Sequence, residues 1–248
     1  MALIMNLKKF KFWSNDIIEF YCHPDYEDVI PEPKPAVKNF PEWFKKLEPL
    51  ANERDNNTDY WAMTAKKCFP MIDAMSLGFT MPLMGDVHVR TNHNNSQIIA
   101  TSHKHSYQVC EYHHHDQVGG HSGIIKNNGN PLKFINHWVI KTAPGWSTLF
   151  IPPINHFDAP FRCLGGLVDT DNYPKEVNFP AVWLVPDFDD HLYAGMPLVT
   201  AIPIKRNDFN KKPKIRKMRK SEMKEISTLQ KKQTARLHYY TNELRVKK

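Results

Sequence analysis

The sequence predicts a mainly β protein, built as a jelly-roll or a related β-barrel or β-clip sandwich. Nine short apolar runs follow one another between about residue 68 and residue 205, separated by Gly, Pro, Asn and Asp. No segment repeats a strand–helix–strand period, and neither GxGxxG nor a P-loop pattern occurs. We therefore expect antiparallel sheets rather than a doubly wound nucleotide-binding fold. A proline-rich N-terminal arm and a C-terminal amphipathic helix complete the predicted architecture.

Composition indicates a folded chain with one main domain. Of 248 residues, 41% are hydrophobic and 12% are aromatic, which is too rich for a disordered protein. No stretch approaches the roughly 18 apolar residues of a membrane helix, and Lys8, Lys9 and Lys11 stand where a signal peptide would be apolar. We expect no membrane association and a cytoplasmic location, in the host cell cytoplasm if the protein is viral.

Residues 1–60 are predicted to form the arm. LKKFKFW and IIEFYCH indicate two short strands, and four prolines between Pro31 and Pro41 require an extended chain, because each ring fixes φ and removes a backbone donor. PEWFKKLEPL then predicts a short helix that begins at Pro41. Arms of this kind wrap their own domain or a neighbouring one.

Residues 61–205 are predicted to form the β-barrel domain. Trp138, Trp146 and Trp183 fall in strand-like segments and are expected to anchor the core. The 4 cysteines include no CxxC pair, which predicts reduced thiols rather than a zinc ribbon or a disulfide scaffold. The predicted strands are FPMIDAMSLGFTMPL, VHVRT, SQIIATS, SYQVCEY, KFINHWVIKT, STLFIPP, LGGLVDT, FPAVWLVP and PLVTAIPIK.

Residues 206–248 are predicted to form a basic connector and a helix. From Lys205 to Lys248 there are 16 Lys and Arg against 4 Asp and Glu, a net charge of +12, so residues 1–204 carry 17 against 22, a net of −5. Such a tail suits a polyanion or nucleic acid at residues 205–220, because cations placed on phosphates release counterions. The alternatives are a solvated surface or docking on the acidic body.

A helix is expected after Ser221, which we take as its N-cap. Apolar side chains then recur at spacings of three or four over about six turns, interrupted only by Gln233, at Met223, Ile226, Leu229, Leu237, Tyr240 and Leu244. This stripe is expected to pack on the parent domain or on a second copy of the chain. Arm and helix together therefore predict a possible route to a homo-oligomer.

Eight of the 13 histidines lie between His88 and His121, which makes this region a candidate metal site. Neutral imidazole is the commonest metal ligand, and residues two apart share one face of a strand. A hairpin would bring two histidine pairs together with a carboxylate, a set that suits Fe(II) or another divalent metal. The candidate ligands are His103, His105, Glu111, His113, His115 and Asp116.

Two partial patterns fit this region. His103-x-His105 with Glu111 resembles the first cupin motif, with the carboxylate six residues after the second histidine. His114-x-Asp116, with a distal His156 or His191, resembles the facial triad of 2-oxoglutarate oxygenases. The alternative is that these histidines are solvated, because TNHNNSQ and DQVGGHSGIIKNNGN have the composition of exposed loops.

Residues 131–206 contain three distinctive segments: N-x-W with K-T-x-P-G-W-S, then G-x-V-D-T-D-x-Y, then G-x-P-x-x-x-x-I-P-x-K-R. In these the chain resembles a group of uncharacterised proteins of tailed bacteriophages and some bacteria. FPEWFKKLEP and KKCFPMIDAMSLGFTMPL extend the resemblance from about Phe40 to Arg206. The resemblance implies membership of the group and no particular reaction.

GLVDTDNY, followed by AGMPLV at residues 194–199, is also similar to the dUTPase and dCTP-deaminase superfamily. The resemblance implies that Asp169 orients the attacking water and that Tyr173 stacks under the deoxyribose. The chain departs from that pattern, because Asn172 precedes Tyr173 and PPIN follows Ile151 in place of a phosphate-binding P-R-S-G. The alternative is a tight β-turn built by the glycines and by Asp169 and Asp171.

Three hypotheses follow from the sequence. The first is a β-barrel enzyme or binding protein that holds a divalent metal through the histidine cluster and acts as a metal-dependent, oxygenase-like enzyme. The second is a non-catalytic phage structural or interaction protein. The third is dUTPase-like handling of nucleotides or nucleic acid.

Overall fold

The computed structural model describes residues 17–54, 61–91, 97–102, 106–118, 130–208, 212–236 and 239–246. The chain divides into two compact units, Met1–Asn207 and Asp208–Lys248. The first unit contains the β-sheets, and the second contains the C-terminal helix. The prediction of a mainly β fold with a C-terminal helix is confirmed.

The first unit contains the described strands and two short helices, α1 at Glu42–Lys46 and α2 at Phe69–Met75. The strands are β1 Ile18–Tyr21, β2 Lys34–Pro35, β3 Leu50–Arg54, β4 Trp61–Met63, β5 Phe79–Pro82, β6 Val87–Thr91, β7 Ile98–Ser102, β8 Cys110–Tyr112, β9 Leu132–Phe134, β10 Val139–Thr142, β11 Trp146–Ile151, β12 Phe161–Cys163, β13 Gly166–Val168, β14 Phe179–Trp183, β15 Asp189–Leu192 and β16 Pro197–Lys205.

The strands form several antiparallel sheets. The largest has five strands in the order β13-β11-β16-β5-β2, and a second has four in the order β12-β14-β9-β8. A third sheet has the order β15-β6-β7, while β1 pairs with β10 and β3 with β4. Among the described strands these sheets do not close into a barrel.

Alternation of buried and half-buried residues along the strands places one core between them. Strand β14 alternates buried and half-buried residues, and Trp183 at its end is 1% exposed. Phe134, Phe150 and Phe179 from both main sheets join it in one apolar cluster. Burial of such side chains contributes roughly 1.5–3 kcal/mol each. Trp183 is thus a core anchor as expected, whereas Trp138 and Trp146 are only half-buried.

The described part of the arm packs on its own domain. Strand β1 pairs with β10 and β2 pairs with β5, so both add to sheets of the same chain. Trp138 Nε1 donates a hydrogen bond of 3.0 Å to the carbonyl of Pro31, inside the proline-rich stretch. The predicted strand in LKKFKFW lies outside the described residues.

Two predicted strands differ in the structure. The run FPMIDAMSLGFTMPL begins as the helix α2, because Pro70 fits the first turn of a helix, where its missing N–H costs nothing. The run KFINHWVIKT divides into β9 and β10. Asn136 separates them, because its side chain donates to the carbonyl of Trp138 at 2.7 Å and accepts from the Trp138 N–H at 3.0 Å.

The second unit contains helix α3, Lys220–Ala235. Its N-cap is Arg219, not Ser221, because the Glu222 carboxylate reaches back to accept the Arg219 N–H at 2.8 Å. The helix is also shorter than expected, and a π-helical turn follows at Tyr240–Leu244. No residue of α3 is buried. The packing of the predicted stripe on the parent domain or on a second copy of the chain stays a prediction.

All four cysteines are free thiols. None of the helices that the structure describes has both the length and the apolar character needed to cross a bilayer.

Candidate functional site

A cleft lies where elements of both main sheets meet the arm. Strand β11 ends at Ile151, and residues 152–160 connect it to β12 at the edge of the four-stranded sheet. Because β11 pairs with β16 only as far as Thr200, residues 197–199 of β16 have no β11 neighbour. Helix α1 and the residues before it supply another wall. The cleft thus follows from the early end of β11.

The cleft has a volume of about 740 Å³, which lies within the range of pockets that bind small ligands. Its walls are mainly apolar. They include Phe40, Pro41, Ile151, Phe157, Phe161 and Leu198. Pro152 and Pro153 follow directly after β11, as expected for prolines at the end of a strand. They also line the cleft.

The connection after β11 is held in a fixed shape beside the cleft. Asn155 adopts a left-handed backbone with φ of 61°, a conformation that Asn tolerates better than most residues. Trp43 of α1 donates its Nε1–H to the Asn155 carbonyl at 2.8 Å and stacks on Phe157, with ring centroids 6.1 Å apart. Phe157 is nevertheless 74% exposed. An aromatic ring is therefore supported at the cleft but left open to a ligand.

Charged groups of both signs face the cleft. Lys45 pairs with Glu42 at 2.7 Å, and both are exposed. Arg162 of β12 is also exposed, and in the described part of the chain no carboxylate pairs with it. Burial lowers the pKa of His156, although a hydrogen bond to the main chain of Asn39 and the charge of Asp158 partly oppose the shift. His156 is therefore neutral at pH 7.

Cys163 also lines the cleft, but its thiol is not reactive. It is 2% exposed, and burial raises its pKa far above the ordinary value for a thiol. The thiolate is the nucleophilic and metal-binding form, so a raised pKa disfavours both roles. Cys163 acts here as a small apolar side chain.

Only part of the predicted metal site lies within the described residues. His103 and His105 lie outside them, and so does the side chain of His115. Glu111 pairs with Lys133, the residue directly opposite on β9. His113 Nδ1 lies 2.8 Å from Gln117 Oε1. Within the ranges the structure describes, no group of three His, Cys, Asp or Glu is placed to hold a metal.

His114 and Asp116, the two residues of the HxD pattern, lie close to each other. His114 Nδ1 lies 3.4 Å from a carboxylate oxygen of Asp116, and both are exposed. The two distal histidines occupy different places, because His156 lines the cleft whereas His191 lies on β15 opposite His88. A metal site remains a prediction of the sequence, which metal analysis of protein purified without chelator or metal resin would test.

The rings of His88 and His191 lie in contact, tilted by 39° to each other and with centroids 4.7 Å apart. His88 Nε2 also lies 2.6 Å from Asp189 Oδ1, on the strand next to it. Direct opposition of His88 and His191 in the β6–β15 register explains the contact. Sequence alone could not predict the contact between His88 and Asp189, because 101 residues separate them.

The residues of the dUTPase-like turn lie together. Tyr173 donates its main-chain N–H to the Asp169 carbonyl at 2.9 Å, and Asn172 does the same. The Asp169 carboxylate accepts a hydrogen bond from Ser147 Oγ at 2.6 Å, while 61% of its side chain stays exposed. A tight turn is present at residues 169–173, but the two glycines predicted to build it do not belong to it, because Gly166 begins β13. The contacts of Asp169 and Tyr173 do not test a nucleotide-binding role.

The three distinctive segments of residues 131–206 meet in one polar network. Arg206 pairs with the nearly buried Asp171. Its Nη1 donates to Asp171 Oδ1 at 2.8 Å, and its Nη2 contacts Asp171 Oδ2. Asp171 also accepts the Gly145 N–H at 2.9 Å, and its carbonyl accepts from Lys141 Nζ. Below them, Thr170 Oγ1 lies 2.8 Å from Oγ1 of Thr142 and of Thr148. The segments therefore fasten the turn after β13 to β10, β11 and the end of β16.

The cleft itself was not predicted from the sequence. Phe157 and Arg162 lie in a stretch without periodic pattern, and β12 has only three residues after Pro160. The sequence offers one signal, the aromatic residue Phe157 in the segment NHFDAP between two strand-like segments. Comparison of the chain with protein-family models and with curated proteins found no match.

Proposed function

We propose that this protein is an interaction protein that binds a ligand in the cleft between α1 and β12. The observation that carries the proposal is a mainly apolar cleft of about 740 Å³ beside an aromatic ring that is 74% exposed. Solvent exposure of a supported aromatic ring has a free-energy cost that a ligand would remove. The ligand would combine an apolar part with a negative charge, because Arg162 lacks an ionic partner among the described residues.

The resemblance to phage proteins and the fold agree with this proposal. The two main sheets would form the two faces of a jelly-roll-like sandwich, and the cleft would lie at the place where it stays open. Membership of the phage group is part of the proposal. The resemblance implies no particular reaction, so the structural or interaction hypothesis rests on the cleft and not on the group.

Anilinonaphthalene sulfonate tests the proposal, since it combines aromatic rings with an anionic group and fluoresces in apolar surroundings. We expect it to bind the full chain, and Phe157→Ala to weaken binding about three- to tenfold, the factor that 0.5–1.5 kcal/mol corresponds to. Arg162→Ala should weaken it in the same direction. Near-ultraviolet circular dichroism must remain native, because loosely packed states also bind this dye.

Two matched controls separate the cleft from the rest of the surface. Tyr193→Ala removes another aromatic ring, 64% exposed, that does not line the cleft. Arg90→Ala removes an exposed arginine on β6. Equal loss of dye binding in the controls and in the cleft variants would overturn the proposal.

A further inference from the structure

His88 and His191 form a pair on the exposed face of the three-stranded sheet, directly opposite each other in the β6–β15 register. Thr91 of β6 donates its N–H to the Phe188 carbonyl at 2.9 Å, which makes that pair a hydrogen-bonded position. Hydrogen-bonded and non-hydrogen-bonded positions alternate along an antiparallel pair. The His88–His191 pair, three residues further along, is therefore a non-hydrogen-bonded position, where opposite side chains come closest.

The separation of the two rings matches that of two imidazoles bound to one metal ion. Imidazole nitrogens bind such ions at about 2.0–2.1 Å, so two neighbouring rings have centroids about 4.5–5.2 Å apart in right-angled or tetrahedral geometry. The observed separation of 4.7 Å lies in this range. Small rotations of the two partly exposed rings therefore suffice to direct one nitrogen of each at a shared ion.

Asp189 determines which nitrogen of His88 is available for a metal. Its Oδ1 lies 2.6 Å from His88 Nε2. Because a carboxylate only accepts, Nε2 carries the proton, and Nδ1 of the neutral ring keeps a lone pair. A carboxylate behind a metal-binding histidine orients the ring and makes it a more basic ligand. His191 also has two ring nitrogens, so one can bind a metal while the other keeps a hydrogen bond.

The pair is accessible to an ion from solvent. The side chains of His88 and Asp189 are 33% and 61% exposed, and His191 is exposed. Strand β15 also carries Asp190, whereas the cation of β6 is Arg90, opposite Asp189. Carboxylates thus outnumber cations on these two strands, which favours a positively charged ligand.

We infer that His88 and His191 together bind one divalent transition-metal ion, Cu²⁺, Ni²⁺ or Zn²⁺, through one nitrogen of each ring. Imidazole is a favoured ligand for all three ions. Two protein ligands leave coordination positions open to water or to a further ligand. Neither histidine lines the cleft, so this site is independent of the proposed function.

Titration of the ¹⁵N-labelled full chain with Cu²⁺, followed by nuclear magnetic resonance, locates the site. Cu²⁺ binds nitrogen ligands most tightly of the three ions, and its paramagnetism broadens the nearest amide signals. We expect the signals of Val87, Val89, Asp190 and Leu192 to broaden well before those around His23, a single exposed histidine beside a carboxylate. If the signals of β6 and β15 broaden no earlier than those around His23, the inference is wrong.

Two single variants and their combination test whether the two histidines share one ion. His88→Gln and His191→Gln keep a polar side chain, and each should weaken Cu²⁺ binding at β6 and β15 about a hundredfold, the gain that joins two linked ligands. The double variant should lose little more, since either change already breaks the chelate. His23→Gln, the matched control, should leave this binding unchanged. The amide spectrum of each variant shows whether its fold is native. Losses that add in the double variant would mean two independent histidines and would overturn the inference.

Discussion

Gly78 shows how one residue determines a turn of this fold. It lies between α2 and β5 with φ of 71°, where a Cβ atom would come within 2.3 Å of the Ala201 carbonyl oxygen. Its own carbonyl accepts the Ala36 N–H at 3.0 Å, which ties the arm to the five-stranded sheet. A side chain at this position must therefore push β5 away from β16.

We predict that Gly78→Ala lowers the free energy of unfolding by more than the roughly 1–3 kcal/mol of left-handed strain alone, because it adds a clash with backbone. Denaturant unfolding measures this. Gly195→Ala is the matched control, since Gly195 has φ of 85° and nothing within 4 Å of its Cβ position. Equal losses in the two variants would show that the close contact to Ala201 has no effect.

Asp171 shows how a residue of the G-x-V-D-T-D-x-Y segment supports the fold. The hydrogen bond from Arg206 holds the pKa of this carboxyl below its ordinary value, and the Gly145 N–H acts in the same direction against burial. A lowered folded-state pKa means that the unfolded chain takes up the proton more readily. The stabilisation is therefore present above the ordinary aspartate pKa and is lost as the pH falls through the folded-state value.

We predict that Asp171→Asn lowers Tm at pH 7 by at least the ~2–4 °C that one kcal/mol is worth in a chain of this size. The difference from the parent should shrink as the pH approaches about 3. Calorimetry across this pH range measures it. Asp25→Asn, which removes a carboxylate with an 81% exposed side chain, should have a small effect at every pH. A pH-independent loss for Asp171→Asn would contradict the account.

At the scale of elements, short apolar runs bounded by turn residues predicted several strands well. VHVRT and SQIIATS became β6 and β7, and PLVTAIPIK became β16. The short strand β12 could not be predicted, because three residues cannot show a period and the pairing with β14 determines it. The cleft could not be predicted either, because it lies between the end of β11 and the start of β12, and these two strands belong to different sheets. The start of α3 was misplaced because Glu222, not a hydroxyl, caps it.

The basic segment before α3 belongs to this scale too. Residues 212–219 have no regular structure, and their charged side chains are exposed. Arg216 is paired with Glu222 at 2.7 Å. Of the cations in the predicted polyanion segment, Lys211 lies outside the described residues. Lys212, Lys214, Lys217, Arg219 and Lys220 can reach phosphates without breaking the pair of Arg216.

We predict that log affinity of the full chain for duplex DNA falls with log salt at a slope of about −4 to −5, because each neutralised phosphate contributes about −0.9. Lys212→Ala together with Lys214→Ala should reduce the slope by about two. DNA sequence should not matter, because such segments contact the backbone. Fluorescence anisotropy measures both. Undetectable binding at low salt would leave these cations as a solvated surface.

At the scale of the whole molecule, charge and structure divide the chain in nearly the same place. The net charge is −5 over residues 1–204 and +12 over residues 205–248. The structure places the unit boundary after Asn207. The body contains the cleft, and the tail contains the basic segment. We expect the two units to bind different partners, an anionic ligand with an apolar part at the cleft and a polyanion at the tail.

The central claim is that ligand binding occurs in the cleft between α1 and β12. Amide hydrogen exchange of the full chain, with and without saturating anilinonaphthalene sulfonate, tests it most directly. The account predicts slower exchange in residues 39–45, 151–163 and 196–198, the segments that contain most of the residues lining the cleft. Residues 87–91 and 98–102 of the three-stranded sheet should not change. Protection confined to those two strands, or to α3, would contradict the claim.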